Sequence, residues 1–129
     1  MNTVIDKQKI DRLTKNIIDA SFTVSNVLGC GFLEKIYENS LIIELKKRKL
    51  KVEQQKPVQI YYDNEIVGDY FIDLLVEDSI IVELKTVKNI DNIHKSQLMN
   101  YLKATNKKIG LIVNFFKPKV EIKRMVNNL

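Results

Sequence analysis

Residues 70–85, YFIDLLVEDSIIVELK, place two carboxylates and an ammonium in strands that are otherwise apolar enough to be core. Two apolar runs flank the polar Glu77-Asp78-Ser79, a pattern that predicts a β-hairpin with a short loop. Because side chains alternate along a strand, one face carries Ile72, Leu74, Val76, Ile80, Val82 and Leu84. The other carries Phe71, Asp73, Leu75, Ile81, Glu83 and Lys85. If all three loop residues stay unpaired, Asp73 stands directly opposite Glu83. A two-residue loop separates them unless a bulge restores the parity. The longer loop usually wants a glycine, and none is present.

Charges in such strands are costly unless they are paired or hold an ion. Lys85 could neutralise one carboxylate while the other reaches solvent. Alternatively, Asp73 and Glu83 bind a divalent cation, with Mg²⁺ or Mn²⁺ matching their hard oxygen donors and water completing the shell. Lys85 would then orient an attacking water or stabilise developing phosphate charge. Spacing alone leaves both readings open.

The remaining chain supplies a frame for this hairpin. Ile10, Leu13, Ile17, Ile18, Val24, Val27 and Leu28 recur at helical spacing over 6–28, with Asp6 as N-cap and Gly29-Cys30-Gly31 as terminator. A second helix is predicted over 33–48, with Leu33, Ile36, Tyr37, Leu41 and Leu45 as its buried stripe. Glu34 falls in its first turn, where the helix dipole favours a carboxylate. Residues 51–62 read as an edge strand because Pro57 argues against a central one. A turn at 61–65 leads back through Gly68, a candidate bulge, into the charged hairpin. After Lys85, a helix over 91–104, capped by Asp91 or Asn92, presents His94, Gln97 and Tyr101 on one face. That face is either a neutral polar flank or part of a site. The near-continuous apolar run 107–116 fits a buried strand parallel to 80–86, and a last short strand begins at Val120.

Asp73 followed by Glu83-Leu84-Lys85 on the next strand resembles the D…ExK core of the PD-(D/E)xK nuclease superfamily, with Ile72 where the naming Pro would be. Upstream, Gly31-Phe-Leu-Glu34-Lys-Ile-Tyr37 resembles the GxxExxY signature of a small family within it. The resemblance runs from about Ser21 to Arg124. It implies an α/β fold with a restriction-endonuclease-like core, a mixed β-sheet flanked by helices. It implies metal ligation by Asp73, Glu83 and the Leu84 backbone carbonyl, with Glu34 assisting directly or through water, and catalysis by Glu34, Asp73, Glu83 and Lys85. Tyr37 would hydrogen-bond into the site. Gln97-x-x-x-Tyr101 resembles a motif of the exonuclease-like branch, where these side chains contact substrate or order the metal shell.

Length bounds the organisation to one domain over 1–129. A single cysteine, Cys30, rules out an intramolecular disulfide and fits a reducing cytoplasm. No apolar run approaches a membrane span, and the N-terminus lacks a signal-peptide core. A net charge of +5 permits a polyanionic partner. The expected function is Mg²⁺- or Mn²⁺-dependent hydrolysis of nucleic acid, with DNA favoured over RNA. The alternative is a non-catalytic binding module or adaptor that keeps the nuclease fold. A homo-oligomer could supply surface that so small a domain lacks for gripping a duplex.

Overall fold

The structure, a computed structural model, describes residues 7–129; the expected N-cap Asp6 lies outside that range. The elements run α1 Lys7–Leu28, α2 Glu34–Lys47, β1 Val52–Tyr62, β2 Glu65–Val76, β3 Ile80–Lys85, α3 Asn92–Thr105, β4 Ile109–Asn114 and β5 Glu121–Val126. Their kinds and order are those expected from the apolar periodicity. Among the described residues, no helix is long and apolar enough to cross a membrane.

The five strands form one sheet in the order β1-β2-β3-β4-β5. Neighbours are antiparallel except β3 and β4, which run parallel across the α3 crossover. The result is an α/β fold with a mixed sheet and helices on both faces. On one face Leu74, Val82, Leu84, Leu111 and Val113 meet Ile17 and Val24 of α1 and Leu41 and Leu45 of α2. On the other, Ile72, Leu75, Ile81 and Ile112 meet Leu98 and Leu102 of α3. Burying each such side chain stabilises by about 1.5–3 kcal/mol, which is the background against which a buried carboxylate must be judged. Gly110 lets α3 sit close to β4, because a Cβ there would lie 2.8 Å from a Leu98 methyl.

Three details of the strands decide where the charged side chains stand. Val76 pairs with Ile80, so Glu77, Asp78 and Ser79 are all unpaired, as the Asp73–Glu83 alignment required. Without a glycine, Glu77 and Asp78 themselves take left-handed conformations, φ +52° and +53°, and the Ser79 N–H donates to the Val76 carbonyl at 3.0 Å. Secondly, the ladder slips between Ile60 and Tyr61, opposite Gly68. Thirdly, strict alternation fails at Asp73: Ile72 packs with Leu75 and Ile81, not with Leu74 and Val82 as expected. Gln55, which lies across from Asp73 between the pairs Gln54–Leu74 and Lys56–Ile72, has φ +52°, and this local kink reverses the side-chain order.

Candidate active site

β2 and β3 pair in a ladder only from Val76–Ile80 to Leu74–Val82. Where the next pair would be, side chains take over the bonding. The Leu84 N–H donates to Asp73 Oδ2 at 2.9 Å, and the Asp73 N–H donates to Glu83 Oε2 at 2.9 Å. The two carboxylates therefore converge on the gap where β2 parts from β3, Glu83 held by Tyr70 and Asp73 reached by Gln55. The Tyr70 hydroxyl donates to Glu83 Oε1, and the Tyr70 ring stacks on Tyr101 of α3 with centroids 3.5 Å apart. Since the Leu84 N–H faces β2, its carbonyl leaves the strand on that same edge.

The electrostatics follow from this geometry. Glu83 is only 6% exposed, and its pKa is pushed up to about 7, first by burial and then by the Asp73 charge. The Tyr70 hydroxyl, the Asp73 N–H and the charge of Lys85 act against that rise. Asp73 is also raised, chiefly by burial and by Glu38, while the Leu84 N–H and the Gln55 amide hold it down. Tyr70 is raised far above a phenol's usual range by burial and by its bond to Glu83, so it remains a donor. Lys85 is half-buried and influences both acids, yet among the described residues it forms no ion pair within 4.0 Å. The ion-pair alternative thus has no direct contact behind it.

Glu34 is exposed, and no hydrogen bond or ion pair links its side chain to Asp73 or Glu83. The acid that α2 brings towards Asp73 lies one turn further on. Glu38 is 4% exposed, and the Gln55 amide donates both to Glu38, at 3.2 Å, and to Asp73 Oδ1, at 3.4 Å. Gln54 donates to Glu38 as well. Consecutive strand residues normally face opposite ways; the left-handed Gln55 turns both amides to the same carboxylate. The sequence carried a signal for Glu38: three and seven residues before Leu41 and Leu45, it occupies a position on the buried stripe. Leu33, 81% exposed, and Ile36 are off that stripe, contrary to expectation.

Tyr37 does not reach the carboxylates. It is fully buried and stacks on Phe115 at 4.4 Å, while its hydroxyl donates to the Gly29 carbonyl at 2.8 Å and accepts from the Phe32 N–H at 3.2 Å. It pins the loop between α1 and α2, in which Gly29 and Gly31 supply the positive φ values, +69° and +107°. Tyr101 is one side chain removed from Glu83, through Tyr70. Gln97 is exposed, and the hydrogen bonds of the acidic pair are made by other residues. His94 closes the start of α3, its Nδ1 accepting the Asp91 N–H at 3.0 Å.

Among the described residues, no cluster of three or more His, Cys, Asp or Glu side chains is arranged to hold a metal. The donor set is instead two carboxylates flanked by a carbonyl. Mg²⁺ suits such a set because it commonly keeps several waters and takes one or two protein carboxylates.

Comparison with known proteins adds two findings. The family model of the PD-(D/E)XK nuclease superfamily matches residues 11–125. The crystal structure of SSO0001 matches with a TM-score of 0.57 at 20% identity over 74% of this chain, a likeness of fold consistent with a restriction-endonuclease-like core. The chain spans only 50% of that protein's length. No curated protein matches.

Proposed function

We propose that this chain, which belongs to the PD-(D/E)XK nuclease superfamily, is a metal-dependent phosphodiesterase acting on nucleic acid, with its centre at Asp73, Glu83 and Lys85. Within the superfamily we place it in the GxxExxY family, on the spacing of Gly31, Glu34 and Tyr37. One observation carries the reading. Two carboxylates converge from adjacent strands, Glu83 buried and Asp73 half-buried, with no cation in ion-pair contact among the described residues. An acidic pair withdrawn this far from water is unfavourable until a cation joins it.

Asp73, Glu83 and the Leu84 carbonyl would hold Mg²⁺ or Mn²⁺. Glu38 takes the assisting place first expected of Glu34, acting through the Gln55 amide and water. When bound, the cation supplies a more acidic water and offsets the charge that builds on the phosphate. The protein's own groups do the rest. Tyr70 and the Asp73 N–H fix both oxygens of Glu83, so that the acid is oriented before a ligand arrives. The Leu84 N–H does the same for Asp73. Lys85, two residues along the strand from Glu83, orients the attacking water and stabilises the developing negative charge. DNA is the favoured substrate, the cytoplasm the setting, and residues 1–129 a single domain.

The test is incubation of purified protein with labelled DNA and RNA panels in Mg²⁺, Mn²⁺ or chelator. Cleavage that needs the cation, and that Asp73→Asn and Lys85→Ala abolish with the fold retained, supports the assignment. Cleavage that survives both substitutions places the centre elsewhere. Absence of cleavage with every substrate, together with undiminished nucleic-acid binding, would favour the adaptor.

A further inference from the structure

Beside the proposed centre lies a cavity of about 370 Å³, lined by Cys30, Gly31, Phe32, Thr86, Phe115 and Phe116. We propose that it is a slot for one unstacked nucleobase, so that the substrate is single-stranded nucleic acid or a frayed end. This rests on the nuclease reading and narrows it.

The cavity sits where a ligand of an α/β sheet is expected, beyond the carboxyl ends of parallel strands. Thr86 directly follows Lys85, the last residue of β3, and Phe115 directly follows Asn114, the last residue of β4. The cavity and the acidic pair therefore share one end of the sheet. Phe115, itself buried, lines it from the core side and is backed by Tyr37 in a nearly parallel stack. Two further rings stand at the opening, Phe32 at 47% and Phe116 at 48% exposure. Aromatic rings around an open, apolar cavity accept any base by its flat face, without reading its sequence.

The walls are pre-set by buried polar groups. Tyr37 ties the Gly29 carbonyl to the Phe32 N–H. Asn114, fully buried, accepts from the N–H of Phe116 at 3.3 Å and of Val87 at 3.0 Å, and donates to the Val87 carbonyl at 2.7 Å. One amide thus joins the Phe116 wall to the segment that continues from Lys85. Within two residues of the lining residues Thr86 and Phe116 in the chain, Lys85, Lys88 and Lys117 form no ion pair within 4.0 Å among the described residues, leaving three cations for phosphates. A paired base within a duplex cannot present its face to such a slot without first leaving the stack.

The experiment uses Asp73→Asn protein with Mg²⁺, so that the oligonucleotide is not consumed. Single-stranded DNA, single-stranded RNA and blunt duplex DNA of one sequence are compared by anisotropy and by alkylation of Cys30, which lines the cavity and is the chain's sole cysteine. Expected is tighter binding of single strands than of the duplex, with Cys30 protected by single strands. Phe32→Leu and Phe116→Leu should each weaken single-strand binding by about fivefold to a hundredfold, the range of a lost base stack, while Phe→Tyr at either position restores it. If wild-type protein cleaves but both Leu variants bind as before, or duplex protects Cys30 equally well, the slot is refuted and the nuclease reading stands. If single strands protect Cys30 and wild-type protein cleaves nothing, the slot stands and the nuclease reading falls. If no nucleic acid binds, both fall.

Discussion

Replacing Glu83 by Gln should remove a fall in stability with rising pH from the metal-free protein. A carboxyl whose pKa is higher folded than unfolded binds its proton more tightly in the folded state. Stability is then highest at low pH and falls as pH rises from the unfolded pKa through the folded one. For Glu83 that window runs from 4.5 to about 7. At about 1.36 kcal/mol per pKa unit, it corresponds to about 3 kcal/mol lost by pH 8. Gln never ionises and lacks this loss. It has a cost of its own, because its single carbonyl oxygen cannot accept from both Tyr70 and the Asp73 N–H as Glu83 does. One lost bond costs about 1 kcal/mol. Wild type has already lost about 0.8 kcal/mol by pH 5, so the variant should nearly match it there and be about 2 kcal/mol more stable at pH 8. Urea unfolding in chelator across pH 5–8.5 measures this. Mg²⁺ at 100 times its Kd should return about 2.7 kcal/mol to wild type at pH 8 and far less to the variant. A stability difference that does not change with pH, or equal gains from Mg²⁺, would refute the reasoning.

Glu38→Gln removes a charge that raises Asp73. The pH midpoint for divalent-ion binding should accordingly move down, as read by calorimetry in matched buffers. Tyr37→Phe deletes both hydrogen bonds that pin the α1–α2 loop. It should cost about 1–3 kcal/mol in urea unfolding and leave ion affinity unchanged. Gly110→Ala drives a methyl into buried Leu98 and should cost about 1–3 kcal/mol by the same assay.

The kinds and order of elements were legible because apolar periodicity and turn chemistry are local signals. Pro57 marked β1 as an edge strand, Gly68 marked the slip in the ladder, and the all-apolar run around Leu111 marked a strand buried on both faces. The alignment of Asp73 with Glu83 could be stated only conditionally. Which loop length wins depends on whether Glu77 and Asp78 tolerate positive φ, and that is decided by the bonds around them. The Glu77 N–H donates to the Lys51 carbonyl, and the Lys107 ammonium reaches the Asp78 carbonyl.

The helix acid was less legible. Motif spacing pointed to Glu34, whereas burial, a tertiary property, singles out Glu38. The bridging amide of Gln55 depends on a left-handed backbone at a non-glycine residue, for which the sequence offers no marker. Tyr37 drew attention through its spacing from Gly31, and that spacing serves the loop these two residues build together.

Calorimetric titration of the metal-free protein with Mn²⁺, in wild type and Asp73→Asn, tests the metal centre most directly. Wild type should bind saturably above neutral pH, where Glu83 is ionised, and Asp73→Asn should lose that binding while keeping its fold. Binding of equal strength in both proteins would place the ion elsewhere, and none in wild type would remove the metal from the mechanism.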